Sequence, residues 1–561
     1  MKWTTACPDW ERRIAARESL IPFPPLFQEE ADEALDRFGA LRMVDAAGSP
    51  LMSETVRQWV TDFVGAIFGS YDPETGRRMV SEYMLLISKK NGKSTIAAGI
   101  MLTALLMNWR ASGEFIILAP TKEIADNSYI PMRDMVNADE ELKALLKVQD
   151  HLRTITHRDT NATLKVVAAD SEAVGGKKAI GIFVDELWIF GKRANAEAML
   201  REATGGLASR PEGFIIWATT QSDAPPAGVF RQKLLYARQV RDGKIKDNSF
   251  LPVLYEFPKA MLDAGAHRDA ANAYVTNPNL GLSVDEAFIE RGYAQAQLDG
   301  EESFRGFLAK HLNVEIGLAL LSDRWAGADF WERQAVDFCQ SLDDLIDRCE
   351  VIDLGIDGGG LDDLLGFAAV GREKGTRRWL VWTHAWAHPS VLERRKQEAP
   401  RFNDFAKDGH LTLVKRIGED IEAVADLAAK VENAGLLDMI GLDPQGVGAI
   451  LEALSDAGIP AEKATGISQG WKLGGAIKTT ERKLAEGGLI HGGQPLMAWC
   501  CGNARVEPKG NSILITKQAS GSAKIDPLMA LFAAVALMSL NPANQQGIDQ
   551  FMASIRDPIY Q

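Results

Sequence analysis

From about residue 55 the chain alternates short apolar runs with longer helical or polar stretches. Residues 84–87 form an apolar run that ends in a glycine-containing loop, and an apolar segment of helical length follows at 96–109. Further strand candidates lie at 115–118, 164–167, 180–184 and 214–217. Buried strands separated by helices predict a mostly parallel α/β sheet. Residues 1–50 read as a helical lead-in broken by Ile21-Pro22-Phe23-Pro24-Pro25, and 51–258 as one α/β domain. The stretch 259–345 is helix-rich and polar, punctuated by Asn277-Pro278-Asn279-Leu280-Gly281, and is expected to be a linker or lid. A second α/β pattern fills 346–545, with strand candidates at 351–356, 367–370, 379–382, 411–414 and 439–442 and a closing helix at 527–540. Residues 546–561 read as a loose tail, and no internal repeat is evident.

Length and charge sharpen this. A chain of 561 residues is too long for one ordinary core, so two or more domains are expected. The balance of 62 basic against 76 acidic residues gives −14, which argues against a surface coated in positive charge for tight nucleic-acid binding. A local basic channel remains compatible with it. The five cysteines form no CxxC pair, so neither a disulfide framework nor a zinc site is expected, and a reducing cytoplasm fits. No signal-peptide pattern opens the chain. The longest apolar run, 528–540, falls short of the roughly 20 residues that span a bilayer, so no membrane association is expected.

Ser88-Lys89-Lys90-Asn91-Gly92-Lys93-Ser94-Thr95 carries the first candidate chemistry. A phosphate-binding loop needs backbone N–H groups around a phosphate, a lysine on the β/γ oxygens and a hydroxyl on Mg²⁺. Gly92-Lys93-Ser94 supplies the end of that pattern between a buried strand and a helix; the usual first glycine falls at Ile87 and is missing. Residues 179–184 form an apolar strand that delivers Asp185 and Glu186 to its tip, a Walker B arrangement. Asp185 is expected to hold Mg²⁺ and Glu186 to polarise the attacking water. A further strand ends in Thr219-Thr220-Gln221, suited to sensing the γ-phosphate and coupling its loss to movement; simple capping is the plainer alternative. Arg201 and Arg210 are candidates for an arginine finger.

Three aspartates mark a second candidate site. Asp357 enters a Gly358-Gly359-Gly360 turn, Asp443 ends a strand, and Asp526 precedes the last apolar helix. Two strand tips and a helix start can meet at one sheet edge and hold two Mg²⁺ or Mn²⁺ ions for phosphodiester cleavage. Singly, each has a bland reading: an N-cap with Pro527 behind it, or turns at Asp443-Pro444 and Asp357-Gly358. Asp353, Asp362 and Asp363 are nearby competitors. Lys472, Lys478 and Arg482 lie near helical spacing and could grip phosphate or form a solvated face.

In order and spacing these motifs, with Asn277-Pro278-Asn279-Leu280-Gly281, Phe304, His311-Leu312-Asn313 and Lys524-Ile525-Asp526-Pro527, resemble the large terminase subunit of tailed double-stranded DNA bacteriophages from about residue 30 to 540. The resemblance implies an N-terminal P-loop ATPase domain and a C-terminal ribonuclease H-like α/β nuclease domain. It implies ATP and Mg²⁺ (or Mn²⁺) as cofactors and double-stranded DNA, portal protein and small terminase subunit as partners. It further implies a homo-pentamer on the prohead, monomeric when free in the host cytoplasm. Carried over, Lys90 to Thr95 and Asp185 bind ATP and its metal, Glu186 is the catalytic carboxylate, Thr219 and Thr220 couple, and Asp357, Asp443 and Asp526 are the nuclease ligands. Two departures stand out. Relatives carry a Trp-Gln pair that reads adenine, whereas here the order is Gln58-Trp59-Val60; and Asp357-Gly358-Gly359 is looser than the family's usual first nuclease segment. The runner-up from another class is a translocase or helicase whose C-terminal domain only binds nucleic acid. A ring component with a decayed motor is a third reading, opposed by intact Lys93, Asp185 and Glu186.

Overall fold

The computed structural model describes residues 3–169, 179–193, 195–316, 325–396, 398–444, 447–509, 512–515 and 524–543. The tail expected at 546–561 lies outside the described residues. The chain divides into two compact units, Met1–Gly317 and Leu318–Gln561. The helix-rich stretch expected as a linker or lid is thus shared between them, with 259–317 belonging to the first unit. Among the described residues no helix is long and apolar enough to cross a membrane.

The first unit is built on an eight-stranded sheet: β1 (Glu82–Leu86), β2 (Glu114–Ala119), β3 (Leu146–Gln149), β4 (Thr154–His157), β5 (Thr163–Ala168), β6 (Ala179–Val184), β7 (Phe214–Thr219) and β8 (Phe250–Leu254), in the order β8-β1-β7-β6-β2-β5-β4-β3. Every neighbouring pair from β8 to β5 is parallel, and β4 and β3 extend the sheet antiparallel. All five expected strands are present and central. Strands β3, β4 and β8 were not anticipated. The first two mix polar and apolar residues, and β8 carries Pro252, which breaks the look of a strand. Proline is tolerated there because β8 is an edge strand with β1 as its one partner. Helix α1 (Gln58–Phe68) precedes β1, and α2 (Lys93–Leu106) follows it. Residues 96–105 of α2 are buried without interruption, so it is a core helix rather than an amphipathic one. Helix α3 (Glu301–His311) lies near the end of this unit.

The second unit holds a seven-stranded mixed sheet: β9 (Cys349–Gly358), β10 (Leu365–Glu373), β11 (Trp379–Ala387), β12 (Leu411–Leu413), β13 (Leu437–Leu442), β14 (Ala464–Gly466) and β15 (Leu489–His491). Its order is β12-β11-β10-β9-β13-β14, with β15 also on β11. Strands β9, β10 and β11 pair antiparallel, while β13 and β14 add parallel to β9, an α/β arrangement consistent with the ribonuclease H-like class. Helix α4 (Asp526–Met538) is buried around nearly its whole circumference and lies on the central strands. Glycines make that possible. A Cβ at Gly355 would stand 1.9 Å from the Ala530 carbonyl oxygen, one at Gly366 2.5 Å from the Pro527 nitrogen, and one at Gly441 3.3 Å from the Ala533 oxygen. The helix therefore sits closer to the sheet than any side chain would allow.

Asp353 also faces this helix side of β9, but it is fully buried in mid-strand. It accepts from the Met439 amide at 3.1 Å, and burial together with the neighbouring Asp438 carboxyl pushes its pKa up to about 8. It is a core carboxyl and is not at the strand tip that carries Asp357.

Two consequences are testable. Gly355→Ala is expected to cost about 3 kcal/mol of stability by lifting α4 off the sheet; an unchanged unfolding midpoint would contradict the close approach. Asp353 has a folded-state pKa above its unfolded one, so its favourable contribution is present at acid pH and is lost as pH rises towards about 8. Asparagine mimics the protonated form. Asp353→Asn should therefore raise the thermal midpoint more at about pH 8.5 than at about pH 5, and an equal gain at both would contradict the buried, protonated carboxyl.

Candidate active sites

Strands β1, β7 and β6 are adjacent and parallel, in register from Leu86 opposite Thr219 and Val184 opposite Trp217. Their C-terminal tips therefore open on one edge, where ligands of parallel α/β sheets bind. The tips border a cleft of about 790 Å³ lined by Ser88 to Lys90, Gly92 to Ile96, Asp185, Glu186 and Thr220. Met43, Asp45, Thr55, Val56 and Val60 form another part of its wall. Lys90 and Gly92 both adopt left-handed backbone, with φ of 73° and 76°, on either side of Asn91. Alternating handedness of this kind turns successive N–H groups into one concavity, and α2 begins directly behind it at Lys93.

The Lys93 ammonium lies 2.6 Å from Glu186 Oε1 and 3.0 Å from Asp185 Oδ1. Burial works to lower the lysine's pKa, but the two carboxylates hold it above its ordinary value. Burial raises Asp185 despite Lys93. Against the same burial, the closer contact with Lys93 and a 2.6 Å hydrogen bond from Trp188 Nε1 to Oε2 hold Glu186 below the usual carboxylate range. Glu186 also sits at φ 53°, a left-handed conformation that costs a non-glycine residue about 1–2 kcal/mol. Its amide donates to Asp185 Oδ1 at 2.9 Å, so the turn is held by its own carboxylate pair. The strain aims Glu186 into the cleft in advance.

Asn91 has a different use from its neighbours. Its side chain is fully buried and is absent from the cleft wall. It donates to the Ser88 carbonyl at 3.0 Å and to Asn277 Oδ1 at 2.8 Å, and accepts from the Asn279 amide at 3.0 Å. Asn279 Nδ2 returns a bond to the Asn91 carbonyl at 2.9 Å. Ser283 Oγ adds a bond to the Lys90 carbonyl at 2.8 Å. The Asn277-Pro278-Asn279 segment is thus the outer support of the 88–95 loop, and it fixes a loop that lacks the usual first glycine. Trp59 belongs to the same network, its Nε1 donating to Asn279 Oδ1 at 2.8 Å. Gln58 is exposed and bonds Asp62 at 2.7 Å.

The two threonines divide their work. Thr220 lines the cleft, whereas Thr219 is buried and its hydroxyl accepts from the Trp188 amide at 3.0 Å, which ties β7 to the Asp185-Glu186 turn. Arg201 is exposed and paired with Glu197 at 3.2 Å; neither it nor Arg210 lines the cleft.

At the second sheet, Asp357 lies opposite Gly366 near the end of β9, and the Asp443 amide donates to the Ile356 carbonyl at 3.4 Å, so the two carboxylates leave neighbouring strand tips. A Cβ on Gly358 would stand 2.7 Å from Asp526 Oδ1, so the start of α4 reaches the same place. Gln469 Nε2 donates to Asp357 Oδ1 at 3.2 Å. No sequence pattern marks that glutamine. Asp363 is ion-paired with the buried Lys524, two residues before Asp526. Asp362 meets Arg395 through its carbonyl at 3.1 Å. Among the described residues no three His, Cys, Asp or Glu side chains come close enough together to hold a metal ion. The three expected aspartates share an edge without forming a closed ligand set. Lys472, Lys478 and Arg482 lie along residues 470–485, with Arg482 exposed and paired with Glu486.

Residues 58–236 match the family described as "Terminase large subunit, ATPase domain", a span that includes Lys93, Asp185, Glu186 and Thr219. Over 533 residues the chain is 23% identical to the terminase large subunit of Enterobacteria phage HK97, covering 92% of this chain and 95% of that protein. A shorter similarity, 21% over 356 residues, reaches protein YmfN of Escherichia coli strain K12 and covers 60% of this chain and 74% of that one. Among solved structures, the HK97 bacteriophage large terminase is similar at 19% identity with a TM-score of 0.46, covering 90% of this chain and 99% of that one. The ATPase match falls on the residues that build the cleft, and the similarity to the phage protein runs almost end to end: residues 58–236 carry a terminase large subunit ATPase domain, within a chain similar to a terminase large subunit over most of its length.

Proposed function

We propose that this protein packages viral DNA, with ATP hydrolysis in the first unit driving double-stranded DNA into a prohead and a metal-dependent nuclease in the second unit cutting the concatemeric genome. The observation that carries the motor half is Lys93 held between Asp185 and Glu186 at the tips of adjacent strands. Lysine satisfied by two carboxylates is a charge ready for exchange. Phosphate oxygens entering beside Gly92 compete for Lys93, and the N–H groups of the loop and the start of α2 receive the remaining negative charge. Ser94 and Asp185 would be the oxygen donors that hold Mg²⁺. Glu186, released from Lys93, keeps its Trp188 hydrogen bond and accepts a proton from the attacking water. Thr220, on the cleft wall, senses the terminal phosphate, and Thr219 passes its loss to the β6–β7 junction.

For the nuclease half, Asp357, Asp443 and Asp526 would hold the metal ions. They are hard carboxylate donors at one sheet edge, of the kind Mg²⁺ or Mn²⁺ takes. The ions would supply the positive charge that draws the three together and activates water against a phosphodiester. Gln469 holds Asp357 in place. As in the family, the assembly is a homo-pentamer docked on the portal protein in the host cytoplasm, monomeric when free, with a small terminase subunit selecting DNA. One specific observation favours a second reading, a translocase whose second unit only binds nucleic acid: the three aspartates form no closed ligand set.

Mutation separates these. Glu186→Gln should lower DNA-stimulated ATP turnover by a factor of about 100 or more and leave Mn²⁺-dependent DNA cutting intact. Asp443→Ala should do the reverse. Wild-type ATP turnover in Glu186→Gln would overturn the motor assignment. Wild-type cutting in both Asp357→Ala and Asp443→Ala, or no cutting by the unmodified protein in Mg²⁺ or Mn²⁺, would overturn the nuclease assignment.

A further inference from the structure

The end of α3 meets the nucleotide cleft at several points. The Lys310 carbonyl accepts from the Lys89 amide of the phosphate loop at 2.8 Å. The His311 carbonyl accepts from Asn277 at 2.8 Å, and Asn313 Oδ1 accepts from the Gln221 amide at 3.1 Å. Between these contacts the Lys310 side chain turns inward. Its Nζ donates to the Gln221 carbonyl at 2.8 Å and stands 3.0 Å from the centre of the Trp188 ring. It is 9% exposed and forms no ion pair among the described residues. Burial pulls its pKa down to about 7, although Asp223 and Glu186 work in the other direction.

A lysine is costly to keep in such a place, and its contacts show what it acts on. One face of the Trp188 indole receives the ammonium, and the indole N–H holds Glu186 Oε2 at 2.6 Å. A cation over the ring face draws electron density from the indole and makes its N–H a stronger donor. Lys192 also faces the ring, but farther off at 4.8 Å, exposed and paired with Asp223, so Glu186 is served by two buried lysines. Lys93 touches Oε1 directly, and Lys310 acts on Oε2 through the tryptophan. Only Lys93 is claimed by phosphate.

We propose that Lys310 is a positioning residue for ATP hydrolysis, acting on Glu186 through the Trp188 ring so that the carboxylate keeps its orientation after Lys93 has turned to the nucleotide. The proposal rests on the reading of Glu186 as the group that accepts the proton of the attacking water. It also gives α3 a reason to end where it does. Three residues, Lys310, His311 and Asn313, bind the phosphate loop, the support segment and the strand tip at Gln221, so this end of the helix holds the lysine in register with all three.

The test is steady-state ATP hydrolysis by the full chain with DNA present. Lys310→Met should lower kcat by about tenfold or more and leave KM for ATP within about twofold, because the phosphate contacts remain. Lys310→Arg, which keeps a cation for the ring, should recover most of the loss. Trp188→Phe, which keeps a ring and removes the N–H, should lower kcat in the same way. The double variant Lys310→Met with Trp188→Phe should be no slower than Trp188→Phe alone, because both changes break one path. ADP affinity and the unfolding midpoint report whether each variant is folded. If Lys310→Met does not fold, Trp188→Phe and Lys310→Arg still decide. A wild-type kcat in Trp188→Phe overturns the proposal, as does an Arg variant as slow as any unfolded-corrected Met variant. Losses that multiply in the double variant overturn it too. Glu186→Gln is the control: if it turns over ATP normally, the reading of Glu186 fails; if it is inactive while Trp188→Phe is normal, only the role of Lys310 fails.

Discussion

The first unit is organised around one buried positive charge. Lys93 has little access to water, and an ammonium in that position must be matched by negative charge close at hand. Asp185 and Glu186 supply it, and their own placement explains much else. They must arrive at the tip of a strand parallel to β1, which sets the order β1-β7-β6 and puts the Thr219-Thr220 tip between them. Glu186 must leave the strand in a left-handed turn, which the Asp185 carboxylate and Trp188 hold. The loop that carries Lys93 must be rigid without its usual glycine, which Asn91 achieves by burying its amide against Asn277 and Asn279. Removing one partner from such a buried amide network leaves the others unsatisfied at a cost of about 1–3 kcal/mol each. The network is therefore better described as part of the site than as packing around it.

The second unit depends on a steric constraint instead. Glycines at 355, 366 and 441 let an apolar helix lie directly on the central strands, and the start of that helix is Asp526. The distance from Asp526 to the end of β9 is therefore set by the absence of three side chains. A carboxylate carried to a sheet edge in this way is fixed by backbone packing, whereas Asp443 leaves a half-exposed strand tip next to Pro444. This difference explains how three aspartates can share an edge without closing into a ligand set.

Much of this was legible in the sequence, for physical reasons that also mark the limits. Parallel strands buried on both faces show as unbroken apolar runs, so β1, β2, β6 and β7 could be read, and the carboxylates at the end of β6 with them; β5 shows as a shorter run around Lys165. Strand β8 was hidden by Pro252, because edge position is a property of the sheet and not of the segment. Asp353 stands near Asp357 in the sequence as a competitor for the same role, but proximity along the chain gives no depth, and the structure buries Asp353 in the core. Asn277-Pro278-Asn279 looked like punctuation in a linker. Its role depends on an amide 186 residues earlier, a pairing that no local pattern encodes. Trp59 looked like half of a displaced adenine motif for the same reason, and its partner is Asn279. Lys310 lacked any signal, since a lysine late in a helix ordinarily reads as a dipole-compensating surface charge.

The account turns on the claim that Lys93 exchanges its carboxylate partners for phosphate and so frees Glu186. The most direct measurement is the distance from Lys93 Nζ to Glu186 Oε1 in a structure of the protein with Mg²⁺ and a non-hydrolysable ATP analogue. The account predicts that it opens from 2.6 Å to beyond the ~4 Å range of an ion pair, with Nζ on phosphate oxygens and the bond from Trp188 to Glu186 kept. A bound analogue with Lys93 still resting on Glu186 would contradict it.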